Sequence, residues 1–213
     1  MSAVDFSLLP GDARLWIFAA SRPLAPDESA ALLARVDAFV GGWLAHGHPV
    51  VGARDWRHGR FLLVGADERA TGVSGCSIDS LFRVLKELEG QLGAGLLDRS
   101  GIWFRDASGG IRSATRPEFR ALAQSGEVGE DTVVFNNTIG TVGELLAGKW
   151  EVPVRESWHA RAFAVGSAGV RKCESERQCE ARNGAGLGRR PAPFGLWGSA
   201  APVGAGAIPA LRA

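Results

Sequence analysis

The order of periodic segments predicts an α+β domain of the ferredoxin-like type, a βαββαβ sandwich. Three observations lead there: two stretches with apolar residues at helical spacing, short apolar runs flanking each of them, and a tight His58-Gly59 connection between two strand-like runs.

Arg14 to Ser21 (RLWIFAAS) is short, apolar and aromatic, so it reads as a buried strand closed by Arg22-Pro23. Leu32, Leu33, Val36, Phe39, Val40, Trp43 and Leu44 then recur at helical spacing, behind Pro26, Asp27 and Glu28, which suit a helix start. Gly47 is the expected stop, which places His46 in the last helical turn. Val50 to Trp56 and Arg60 to Ala66 are strand-like and joined as a hairpin. Ile78, Leu81, Phe82, Leu85 and Leu88 line one face of a second helix, ending near Gly93 and Gly95. Ile102 to Arg105 supplies the last strand before a Ser108-Gly109-Gly110 turn. Two capping boxes, Thr115 with Glu118 and Thr141 with Glu144, open short helices around the apolar strand Thr132 to Asn136. They imply a small C-terminal α/β extension.

The organised pattern runs over residues 1–163. Ala164 to Ala213 contains 11 Ala, 9 Gly and 4 Pro and holds no apolar period, too little burial to offset ordering, so a disordered tail is expected. Translation of a GC-rich frame past the natural end would give this composition; a basic partner-binding tail is the alternative. The tail carries 7 Lys+Arg against 3 Asp+Glu, leaving 17 against 20 in the first 163 residues. This balance argues against a nucleic-acid-binding arm. The uncharged run from Pro191 to Leu211 is interrupted by four prolines and four glycines, so no membrane span is expected. With no Lys or Arg in the first thirteen residues, no signal peptide is expected either. Three cysteines, Cys76, Cys173 and Cys179, are too sparse for a disulfide framework and suit a reducing, cytoplasmic setting.

The most pointed local feature is Thr71-Gly-Val-Ser-Gly-Cys-Ser-Ile-Asp79, which sets Cys76 near a helix start where the dipole favours a thiolate. Asp79 opposes that ionisation, and a helix start with a semi-buried Cys is the favoured reading. Residues 143–149 satisfy GxxxxGK, but Trp150 stands where a P-loop needs Ser or Thr, and Glu-Leu-Leu-Ala favours helix. Phe61 to Glu68 (FLLVGADE) resembles a Walker B strand, although the order of the two motifs is reversed from that of an ABC ATPase. His46 and His48 have no further ligand at matching spacing, so no metal is expected, and no cofactor. Residues 157–163 (SWHARAF) form a polar, aromatic end that docks onto the domain or lines a pocket. Of six tryptophans before residue 164, Trp16, Trp43 and Trp103 fall in core-like patterns.

The stretches RLWIFAASR, WLAHG, RFLLVGADE, SGCSID, TVVFNNTIGT and KWEVPVRESWHARAF together span most of residues 1–163. They resemble a small bacterial family whose members commonly carry the label "ABC transporter ATPase" and end near the position of Phe163. The label implies nucleotide binding. From the residues themselves the expected function is a non-catalytic binding or regulatory module with a protein or small-molecule partner. The alternative is a thiol-dependent enzyme centred on Cys76, assisted by Ser77, Asp79 and His159; a second alternative is the ATPase of the label.

Overall fold

The computed structural model describes residues 5–69 and 75–166, all within one compact unit. Expectations for the tail beyond residue 166, for Cys173 and Cys179, and for the loop before Gly75 lie outside the described residues; the first tail residues, 164–166, are described, and Val165 is buried in the core beside Phe163.

The chain opens with a short 3-10 turn, Phe6–Leu8, capped by the Asp5 carboxylate on the Ser7 N–H. Strand β1 (Arg14–Ala19) leads through helix α1 (Pro26–Gly41) to a two-residue hairpin, β2 (Leu44–Ala45) and β3 (His48–Pro49). Strands β4 (Val51–Arg57) and β5 (Phe61–Asp67) follow, then helix α2 (Gly75–Leu92). His58 and Gly59 both have positive φ, +55° and +60°, the backbone a two-residue hairpin of matching twist requires. The sheet order is β1-β5-β4 with both pairings antiparallel. β1 and β4 are therefore parallel with β5 between them, a split βαβ unit.

Beyond α2 lie β6 (Ile102–Arg105), β7 (Ile111–Ala114), α3 (Arg116–Ser125), β8 (Val133–Phe135), α4 (Val142–Leu146), β9 (Glu151–Pro153) and α5 (Trp158–Phe163). The four strands form a second antiparallel sheet of order β7-β6-β8-β9. The protein is thus α+β, but the specific ferredoxin-like sandwich is not confirmed, since its fourth strand would have to lie beside β1. Ile102–Arg105 pairs with β7 and β8 instead. The free edge of β1 is occupied: Leu15 N–H donates to Gly140 O at 2.8 Å and Val142 N–H to Ala13 O at 2.9 Å. Close approach at that edge also explains Gly143, where an added Cβ would sit 2.7 Å from Gly11 O. The expected C-terminal extension is consequently the second half of the architecture, with Val134 and Phe135 buried at its centre.

Alternation along the strands sorts the side chains into layers. Trp16, Phe18, Leu62 and Val64 pack with Leu32 and Val36 of α1 and Leu81 and Leu85 of α2. The opposite face, with Leu15, Ile17, Phe61 and Leu63, meets Trp103 and Phe135 of the second sheet and Trp150, just before β9. Phe61 and Phe135 stack directly, ring centroids 4.7 Å apart. On the far side of the second sheet Phe104 and Val134 pack with Phe119 of α3 and Phe163 of α5. The order is helices, sheet, sheet, helices. A sheet buried on both faces needs continuously apolar strands, which is why RLWIFAAS lacks polar alternation.

The first helix ends earlier than its apolar spacing suggests. Gly42 caps it, its N–H donating to Phe39 O at 3.1 Å, and His46 (φ +52°) with Gly47 (φ +79°) turns the small hairpin that follows. His46 therefore lies in a hairpin turn, not in a helical one. Trp43 is buried regardless, its indole N–H donating to Ser77 O at 3.1 Å.

Candidate ligand-binding cleft

α5 is only six residues long, yet it is well anchored: His159 and Phe163 are buried and Phe163 packs edge-on against Phe119, centroids 5.0 Å apart. The docking expected of this segment is present, and the same segment also lines a cleft of about 360 Å³. Trp158 and His159 form one side of it. Arg99 to Ile102, at the entry to β6, form another, and Phe135, Asn137 and Thr138, at the exit of β8, a third. Arg116, the first residue of α3, and Ile17 of β1 complete the lining.

His159 is 2% exposed. Its Nδ1 lies 2.7 Å from Ser157 Oγ, which fixes the ring, and its face stacks on Trp158 with centroids 3.9 Å apart. Nε2 has no hydrogen-bond partner among the described residues. Burial, and secondarily the positive charge of Arg116, pushes the imidazole pKa down to about 4, so the ring is neutral near pH 7. The Arg116 guanidinium sits over the Trp158 ring, 5.6 Å from its centroid. The Trp158 indole N–H is buried without a partner among the described residues. Asn137 has its amide orientation set by the core: Oδ1 accepts from Trp150 Nε1 at 2.9 Å, leaving Nδ2 as a donor with no partner among the described residues.

The other sequence candidates lie elsewhere. Cys76 is exposed in the first turn of α2, not semi-buried. Ser77 is buried beside it and Asp79 is exposed. α2 covers the outer face of the first sheet and α5 the outer face of the second, so the fold separates Cys76, Ser77 and Asp79 from His159 by both sheets. His46 and His48 are exposed on the small hairpin, and no cluster of three or more His, Cys, Asp or Glu side chains suited to a metal occurs among the described residues.

The GxxxxGK stretch forms α4 rather than a phosphate loop. Thr141 Oγ1 accepts from the Glu144 N–H at 3.2 Å, Gly148 turns the chain at φ +73°, and Trp150 is buried against Phe61, Phe135 and His58. The acidic end of FLLVGADE is neutralised locally, Asp67 by Arg69 at 2.8 Å and Glu68 by Arg14 at 3.3 Å.

Arg99, Arg116 and Asn137 were not evident from the residues alone. One signal was available: Arg116 is a cation in the first turn of a helix, where the backbone dipole favours anions. The polar run Asn136-Asn137-Thr138 directly after a buried strand was another.

No protein-family model matches the chain, and neither a curated protein nor a solved structure matches it.

Proposed function

We propose that this domain is a non-catalytic binding module whose small-molecule ligand occupies the cleft between α5, the start of α3 and the ends of β6 and β8. The observation that carries the reading is the open cleft of about 360 Å³ beside a buried, neutral His159 whose Nε2 has no partner among the described residues. That volume falls near the low end of ligand sites, roughly 300–1,000 Å³. Catalysis of the Ser-His type is disfavoured by the pairing itself. Ser157 holds Nδ1 but does not line the cleft, and among the described residues no acidic group orients the ring from its other nitrogen.

The β1-β5-β4 order with both helices on one face supports kinship with ferredoxin-like units, a fold used for many binding roles. The stretches RLWIFAASR to KWEVPVRESWHARAF support kinship with the bacterial family labelled "ABC transporter ATPase". The sparse cysteines support a reducing, cytoplasmic setting. Among the described residues no helix is long and apolar enough to cross a membrane.

The test is ligand-observed NMR with a library of small metabolites, followed by amide mapping on ¹⁵N-labelled protein. A saturable hit should shift Gly101, Ile102, Asn137 and Thr138 and be recovered chemically intact after hours with the protein. Hits that map only to other surfaces, or a hit converted to product, would overturn the reading.

A further inference from the structure

The arginines among the described residues fall into two groups. Most face a carboxylate: Arg22 on Glu28 at 2.7 Å, Arg54 on Asp37 at 2.6 Å, Arg105 on Glu151 at 2.7 Å. Arg60, Arg83, Arg99, Arg116, Arg120 and Arg161 do not, and of these six Arg99 and Arg116 line the cleft. Neither forms an ion pair among the described residues, and no Asp or Glu lines the cleft that they border. Arg116 is moreover held where the α3 dipole opposes a cation, retained by its seat over the Trp158 ring. Two guanidiniums without an internal counter-charge, at the mouth of one cavity, mark a place where the negative charge is to arrive from outside.

The neutral groups agree. Trp150 fixes Asn137 so that Nδ2 is the unspent end, a donor rather than an acceptor. The remaining wall is apolar, supplied by Ile17, Ile102 and Phe135. Resting on the cleft being the binding site, we propose that its ligand is a small organic oxyanion, a carboxylate or phosphate ester on an apolar body. The oxyanion lies against Arg99, Arg116 and Asn137 Nδ2, and the body against the apolar wall. With His159 uncharged at neutral pH, the two arginines are the only full charges that line the cleft among the described residues.

Four probes decide this by calorimetry and amide mapping: benzoate, phenyl phosphate, benzyl alcohol and inorganic phosphate. Benzoate or phenyl phosphate should shift Gly101, Ile102, Asn137 and Thr138 saturably, and the tighter of the two identifies the oxyanion. Benzyl alcohol lacks the charge and inorganic phosphate lacks the body, so each should bind about tenfold or more weakly. Arg116→Gln and Arg99→Gln should each weaken the better acid about tenfold, while Arg83→Gln, at an exposed arginine of α2 with no ion pair among the described residues, should leave it unchanged. If benzyl alcohol binds the cleft as tightly as the acids, or Arg83→Gln weakens them as much as Arg116→Gln does, the oxyanion assignment fails and the cleft reading survives. If no probe shifts the cleft amides, both fail.

Discussion

His58 donates its Nε2–H to Glu151 Oε1 at 2.7 Å, a contact that ties the β4–β5 hairpin turn of the first sheet to the start of β9 in the second. The other oxygen of Glu151 accepts from Arg105 at 2.7 Å, and the His58 ring stacks on Trp150 with centroids 5.9 Å apart. One carboxylate therefore clasps both sheets at the edge of their shared core.

Removing that carboxylate strands two donors. Glu151→Ala is expected to destabilise the protein by about 1–3 kcal/mol, read from urea unfolding at pH 7. Burial pushes the Glu151 pKa up, but hydrogen bonds from Arg105 and His58 outweigh it and the net direction is down. A depressed carboxylate contributes stability that is present above its ordinary pKa and lost as pH falls through the folded value. Glu151→Gln should accordingly flatten the loss of stability below about pH 4.5, the ordinary value for this side chain. An acid limb identical to that of the parent would refute the clasp.

The same sign applies to His159 in a higher window. The unfolded chain takes up the proton near pH 6.5 and the folded one only near pH 4, so stability is complete above pH 6.5 and is lost as pH falls towards 4, by on the order of 3 kcal/mol. Between pH 6.5 and 5, His159→Gln should show a clearly shallower decline in unfolding free energy than the parent. Parallel curves would mean that the ring is solvated.

Gly143 and Lys149 share a motif but differ in role. Gly143→Ala pushes a methyl into Gly11 O and is expected to cost about 1–3 kcal/mol. Lys149 is exposed, and Lys149→Ala should stay within about 0.5 kcal/mol of the parent. Calorimetry with Mg-ATP should detect no saturable heat. Micromolar binding abolished by Lys149→Ala would reinstate the nucleotide reading.

Arg60 is buried between the sheets, its Nη1 donating to Ile111 O at 3.1 Å, its Nε without a partner among the described residues, and its guanidinium 5.0 Å from the Trp103 ring centroid. Burial lowers its pKa. A buried cation without an anion is replaceable by an apolar side chain of similar length, so Arg60→Met should change stability by no more than about 1 kcal/mol in either direction. A loss beyond 3 kcal/mol would reveal an ionic role for this residue.

Cys76 and His159 lie on helices covering opposite outer faces. In a protein lacking Cys173 and Cys179, iodoacetamide should modify the exposed Cys76 at the same rate with and without His159→Ala. A slower rate in that variant would bring the thiol-enzyme alternative forward.

Much of this molecule is legible residue by residue. The His58-Gly59 turn, the Thr115 and Thr141 caps, the second helix and the burial of Trp16, Trp43 and Trp103 each follow from neighbours within a few positions, because turn dihedrals, caps and amphipathic spacing are local. Even the end of α1 was open to local reading, since Gly41-Gly42 is as good a stop as Gly47. Three things were decided only by the tertiary structure. Whether Ile102–Arg105 completes the first sheet or founds a second depended on the edge of β1 being taken by Gly140 and Val142, more than a hundred residues distant from it in the chain. Whether the polar groups of SWHARAF face solvent or a cavity depended on α3 and β6 arriving beside them. The separation of Cys76 from His159 followed from the stacking of two sheets. Edge occupancy, cavity walls and layer order arise from contacts between segments far apart in the chain, so no local period records them.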